Sequence, residues 1–276
     1  MRVMVLGSRG MAGHVVTQYL RNNGYTVDTA ARESADYAID LDNVRGIENF
    51  IKHIINAVPE YDYVINCVGL LVKDSIARPD RAVLINSLFP HQLEEAFKNT
   101  NTRIIHLSTD CVFDGKLGRY TAFDRPNEVN YYGMSKALGE LRNDKDATFR
   151  MSIIGPELKE NGTGLFHWFC NTEEPVNGWD NAYWNGITTL QLAKCIDIYM
   201  RNPCFSGIYH VVNSSNRISK YELLRKINQI FDLKKVVNLS TGPKEVDKTL
   251  IDTQNLIDFG IPDYDTMLAE MRDFKQ

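Results

Sequence analysis

The chain lacks a long apolar run. Its opening "VMVLG" is far shorter than the roughly 20 residues a membrane helix needs, and no Lys/Arg-rich stretch precedes it as in a secretion signal. A cytoplasmic protein without a membrane partner is expected. Excess positive charge is missing too. The formal net charge is −4, which offers nucleic acid no broad cationic face. The five cysteines (67, 111, 170, 195 and 204) are odd in number and show no C-x-x-C spacing. Neither a disulfide framework nor a zinc site is indicated, and buried reduced thiols are expected. The six histidines form no i,i+4 pair, so no metal is expected. Internal repeats and low-complexity stretches are also lacking.

What remains is core-forming material. A hydrophobic content of 43% over 276 residues suffices for one large core, or a main domain with a smaller lobe. The first half alternates strand-like and helix-like segments: "RVMVLG", "MAGHVVTQYLRNN", "YTVDTAA", "VRGIENFIKHIINAV", "YDYVINCVG", "RAVLINSLFPHQLEEAFKNT", "TRIIHLSTD" and, after a further helix, "ATFRMSII". That rhythm predicts an α/β fold, a doubly wound parallel sheet of Rossmann type. After Gly155 the rhythm breaks. "VNGWDNAYWNG" reads as a loop, "TTLQLAKCIDIYMRN" as a helix with a Thr cap, "GIYHVVN" as a strand and "SKYELLRKINQIFD" as a helix. The expected organisation is a dinucleotide-binding domain over 1–155 and a substrate lobe over 156–276, with about 186–213 returning to the first domain.

"GSRGMAG" brings Gly7, Ser8, Arg9, Gly10, Met11 and Gly13 between the first strand and helix. Glycines there allow a tight turn and close approach of a pyrophosphate to a helix N-terminus. The acid that binds a ribose 2′-hydroxyl is missing near Ala30, whereas Arg32 and Arg9 are placed to pair a 2′-phosphate. NADPH is therefore expected ahead of NADH. Asp28 is a rival acid for that slot. Asp40 could accept from the adenine amine with Leu41 against the ring, or cap the next helix. Cys67, Val68 and Gly69 end the third strand where an open sheet holds its ligand. "HLSTDCVFDG" places Thr109 and Asp110 at the fourth strand's carboxyl end. "NYYGMSKALGE" puts Lys136 one helical turn after Tyr132, with Tyr131 pointing elsewhere.

In this order, the glycine loop, "INCVG", Asn86, "STDCVFDG" and "YGMSKALGE" resemble the extended short-chain dehydrogenase/reductase superfamily, and within it the dTDP-4-dehydrorhamnose reductase group. "IYHVVNSSNRISKYELLRKI" resembles that group's C-terminal lobe. The resemblance implies Tyr132 as general acid, Lys136 as its electrostatic partner and ribose ligand, Thr109 as the hydroxyl holding the carbonyl, and Asn86 at the cofactor. An ammonium near a phenol favours the phenolate, so Lys136 is expected to ease release of the Tyr132 proton. The implied substrate is a nucleoside-diphosphate 4-keto-6-deoxy sugar, reduced for a bacterial surface glycan.

The sugar side departs from the group's pattern. Cys111 stands where the group has tyrosine, and Ile153 where it has tryptophan. Lys73, Trp179, Tyr183, Trp184 and Asn185 are candidates to rebuild that wall, and Cys111 is read as a small pocket residue rather than a nucleophile. Cys111 in place of a glutamate after Asp110 also disfavours dehydratase chemistry; a sugar-nucleotide epimerase stays an alternative. So does the regulatory subunit of methionine adenosyltransferase, which shares the fold and motif set. A homodimer is left open.

Overall fold

The computed structural model describes residues 1–202, 205–213, 216–254 and 256–274; Cys204 lies outside them. Seven strands form one parallel sheet. From edge to edge they are Gly207–His210, Ala147–Arg150, Arg103–Leu107, Tyr63–Asn66, Arg2–Leu6, Thr26–Ala31 and Tyr37–Ala38. Alternate residues of the central strands feed two cores. Val3, Val5, Ile65, Ile105 and Phe149 pack on one face, and Met4, Leu6, Val64 and Ile104 on the other, against Phe50, Ile54, Phe89 and Phe97. Burial on both faces explains why these strands read as continuous apolar runs. Helix Thr189–Arg201 packs against helix Met11–Asn22 on the first face. Its Thr188 hydroxyl accepts from the Gln191 amide, the cap the sequence announces.

Four local expectations change. The segment 147–154 is not one strand: Ala147–Arg150 stays in the sheet, while Ile153–Ile154 pairs with Ile187–Thr188. The long helix over 81–100 starts earlier, at Pro79, and contains a π turn over Val83–Leu88 before Phe89–Phe97. Pro90 has no N–H to return to the carbonyl four residues back, and a widened turn accommodates that. Helix Val72–Ala77, carrying Lys73, was not anticipated. Finally, 176–186 is not a loop. Val176–Trp179 pairs with Val237–Ser240, and Ala182–Trp184 pairs with both Ile218–Ser219 and Val246–Asp247. Those partners lie far along the chain, so local Asn and Gly content misleads there. Among the described cysteines only Cys195 is fully buried; Cys67, Cys111 and Cys170 are half-buried free thiols. No helix among the described residues is long and apolar enough to cross a membrane.

Candidate functional site

The strands Arg2–Leu6, Tyr63–Asn66 and Arg103–Leu107 are neighbours, so their carboxyl ends bring Gly7, Cys67 and Thr109 to one edge. Gly7 adopts φ 75°, a left-handed conformation that glycine takes without strain. A Cβ there would also stand 3.1 Å from the Cys67 carbonyl carbon and the Val68 nitrogen. A Cβ at Gly13 would overlap the Gly7 carbonyl oxygen. Helix Met11–Asn22 begins at Gly10 with no side-chain cap, leaving first-turn N–H groups for a ligand. This cradle fits a pyrophosphate because backbone, not side chain, lines it.

Arg9 and Arg32 are exposed, and neither forms an ion pair among the described residues. The rival Asp28 is spent elsewhere: it accepts from Arg2 at 2.6 Å and Tyr61 at 2.8 Å. Asp36 likewise turns back onto the Thr29 hydroxyl at 2.7 Å. Asp40 is exposed and braces Asn43, which is the residue that caps the next helix. Leu41 is half-buried beside Val68 and Leu70. Asn86 is fully buried, with its side chain committed to Leu70 N at 2.7 Å, Leu70 O at 3.1 Å and Ser135 Oγ at 3.0 Å. It ties the 67–70 segment to the Tyr132 helix, which is a structural use of its amide.

That helix, Tyr131–Leu138, starts at Asn130, whose side chain accepts from the Gly133 amide at 2.9 Å. A Cβ at Gly133 would overlap the Cys111 carbonyl oxygen. The close approach sets Tyr132 beside the Thr109 turn while Tyr131 stays 51% exposed. Lys136 is buried, donating to the Leu107 carbonyl at 2.6 Å, with His106 Nε2 at 3.5 Å. Burial lowers its pKa to about 8, against the opposing pull of Glu140 and Cys67. His106 is itself held well below its ordinary value by burial and by Lys136.

The Tyr132 phenol lies beside the Thr109 hydroxyl. Burial raises its pKa above the ordinary 10, with Cys111 and Asp110 adding and the Thr109 hydroxyl opposing. The phenol therefore holds its proton throughout the neutral range. Thr109 and Asp110 are both buried, joined at 3.1 Å, and the Cys111 amide donates to Thr109 Oγ at 3.1 Å. Burial pushes the Cys111 thiol up to about 12, so it carries no thiolate.

Of the sugar-side candidates, Trp184 is buried, packs on Tyr264 and lies under Lys220 Nζ at 5.2 Å. Asn185 is spent on the Leu250 backbone, at 2.7 and 3.1 Å. Tyr183 stacks under Arg217 at 3.8 Å, Trp179 is half-exposed, and Lys73 is exposed. Three residues without a sequence signal join the site electrostatically. Lys220 and Lys248 both act on Asp110, and Glu128 pairs with Lys248 at 3.0 Å. The Ser219–Glu222 capping box places Lys220 at the start of its helix, but its proximity to Asp110 is tertiary.

A profile of the RmlD substrate binding domain matches residues 1–249. Methionine adenosyltransferase 2 subunit beta from Danio rerio is 31% identical over 253 residues, covering 84% of this chain and 74% of that protein. The dTDP-4-dehydrorhamnose reductase of Mycolicibacterium smegmatis is 32% identical over 143 residues, 50% of this chain and 40% of that enzyme. A crystal structure of dTDP-4-dehydrorhamnose reductase from Bacillus anthracis, in complex with NADP, superposes with a TM-score of 0.80 at 20% identity over 98% of both chains. With this fold, this motif order and a match over most of its length, the chain belongs to the RmlD substrate binding domain family, of the extended short-chain dehydrogenase/reductase type.

Proposed function

We propose that the protein is an NADPH-dependent reductase of a nucleoside-diphosphate 4-keto-6-deoxy sugar. The observation that carries this is that Tyr132 lies against Thr109 while Lys136 reaches the Leu107 carbonyl, two residues earlier in the chain, at the sheet edge that holds the glycine cradle. In this reading Gly7, Ser8, Gly10, Met11 and Gly13 receive the pyrophosphate, Arg9 and Arg32 the 2′-phosphate, and Asp40, Leu41 and Cys67–Gly69 the adenosine side. The bound nicotinamide supplies a hydride to the carbonyl carbon. Thr109 holds the carbonyl oxygen, and Tyr132 gives its phenolic proton to that oxygen as charge builds there. Lys136 stabilises the phenolate left behind. Residues 1–155 with 186–213 make the cofactor half, and the rest of 156–276 the sugar half, supplying a deoxysugar for a surface glycan.

NADPH is expected to bind more tightly than NADH, with the preference reduced about tenfold or more in Arg32→Ala. Fluorescence titration of both cofactors checks this, and a tighter NADH complex would refute the assignment. The reaction itself is read by NADPH consumption with a panel of dTDP-, UDP-, GDP- and CDP-linked 4-keto sugars. A second reading rests on the Danio rerio relative, whose match spans more of the chain than the reductase alignment does. In it the chain is a non-catalytic subunit that binds a methionine adenosyltransferase. Silence across the panel together with a stable complex with that enzyme would favour the subunit. Leu71, Val72, Ile76, Val83, Leu88 and Leu138 are exposed on or beside adjacent helices, and we take that face as the contact of a homodimer. Sedimentation at assay concentration reads it, and a monomer there removes the dimer.

A further inference from the structure

A threonine hydroxyl has one proton to donate and room to accept two. Thr109 Oγ already accepts from the Cys111 amide at 3.1 Å, and Asp110 Oδ1 lies 3.1 Å away. The state of Asp110 decides where the single Thr109 proton goes. An ionised Asp110 only accepts, so the contact consumes that proton and leaves the carbonyl oxygen without its donor. A protonated Asp110 donates instead, filling the second acceptor position and freeing the Thr109 O–H to point at the substrate. We infer that Asp110 is a positioning residue that works in its protonated form, donating to Thr109 Oγ so that Thr109 donates to the substrate carbonyl oxygen. This rests on the reductase reading above. No net proton leaves Asp110; hydride and the Tyr132 proton alone complete the alcohol.

The surroundings of Asp110 favour this state. Its side chain is buried, and no cation lies within ion-pair distance among the described residues. Burial raises its pKa above the ordinary aspartate value. Hydrogen bonds from Cys111 and Thr109 oppose that, as do two cations: Lys220, from the first turn of helix Lys220–Ile230, and Lys248, from the segment after Val246–Asp247. Both are compromised. Lys248 is engaged by Glu128 at 3.0 Å, and burial lowers the pKa of Lys220. The remaining titratable groups facing Asp110 are the Cys111 thiol on its own turn and the Tyr132 phenol on helix Tyr131–Leu138. Both are neutral at physiological pH, since burial raises each pKa. Substrate entry removes more water and moves Asp110 further the same way.

The sign follows directly. A raised pKa keeps the proton on Asp110 to higher pH than usual, and turnover falls as pH rises through it. The test is the pH profile of kcat for the parent, Asp110→Asn and Asp110→Leu. The parent is expected to show an alkaline limb from Asp110 in addition to the one that loss of the Lys136 charge gives near pH 8. Asp110→Asn, whose amide donates to Thr109 at every pH, is expected to lack the Asp110 limb and to keep only that of Lys136. It should also exceed Asp110→Leu about tenfold at the top of the range. An Asn variant that keeps the Asp110 limb, or is as slow as Leu, overturns the role while the reductase reading stands. A parent silent at every pH with every sugar nucleotide overturns both. Independently of turnover, the carbon-13 NMR titration of aspartate-labelled parent, less that of Asp110→Asn, reads the carboxyl itself. A midpoint at or above the pH of the assay supports the inference, and one below it, as at the ordinary value of about 3.9, overturns it.

Discussion

Tyr132→Phe is expected to lose ketosugar reduction by on the order of 10²–10⁴-fold while binding NADPH as the parent does. The substitution deletes one hydroxyl and keeps the half-buried ring that packs over the Thr109 turn. Thr109 still meets the carbonyl, so substrate affinity should change far less than kcat, the pattern of an interaction made in the transition state. The parent phenol also has a pKa raised by burial. Its acid form therefore persists beyond pH 10, and no loss of proton donation from Tyr132 is expected between pH 6 and 9. Any alkaline limb in that window belongs to another group. Tyr131→Phe is the control, since that side chain is 51% exposed and turned away. Initial rates at saturating cofactor decide the matter, and a Phe variant with parental kcat would remove Tyr132 from the chemistry.

Arg150→Met is expected to cost about 3–5 kcal/mol of stability. Arg150 and Glu140 are both fully buried, bonded through Nε at 2.6 Å and Nη2 at 2.7 Å. Removing the guanidinium strands a carboxylate in the core with only Ser108 Oγ at 2.9 Å and the half-exposed Arg142 at 3.0 Å. Ser108 directly precedes Thr109, so the site should loosen along with the fold. The double variant Glu140→Met/Arg150→Met should regain much of the loss, because no buried charge is left unpaired. Urea unfolding measures both, and a single variant costing less than about 1 kcal/mol would show that the pair is not needed.

His210 adds a pH signature. Burial, then the Arg150 charge, push its pKa down from 6.5 to about 4. The unfolded chain takes up that proton first, so parental stability should fall as pH drops from about 6.5 toward 4. Without Arg150 the folded imidazole charges more easily, and that fall should shrink.

Much of the architecture was legible in local pattern. Buried strands read as apolar runs, helices announced themselves through period and caps, and Gly7, Gly10 and Gly13 marked the turn between the first strand and helix. Thr109, Tyr132 and Lys136 stood out because three short motifs occurred in one order. The misreading of 176–186 has a long-range cause. The strands Val176–Trp179 and Ala182–Trp184 pair with segments about 35 to 65 residues away, and no window of sequence contains both partners. The partners of the Asn86 and Asn185 amides were not legible either: Asn86 bonds the Leu70 backbone and Ser135 Oγ, and Asn185 the Leu250 backbone.

The sequence by itself determined the parallel α/β class, the glycine turn and which tyrosine of "NYYGMSKALGE" faces the site, because each follows from spacing along one element. Only the tertiary structure decided which way the titrating groups are shifted. Burial raises the Tyr132 and Asp110 pKa values and lowers that of Lys136, and Lys220 and Lys248 act on Asp110 from the far end of the chain. A pKa depends on desolvation and on charges through space, and neither quantity is carried by residue order.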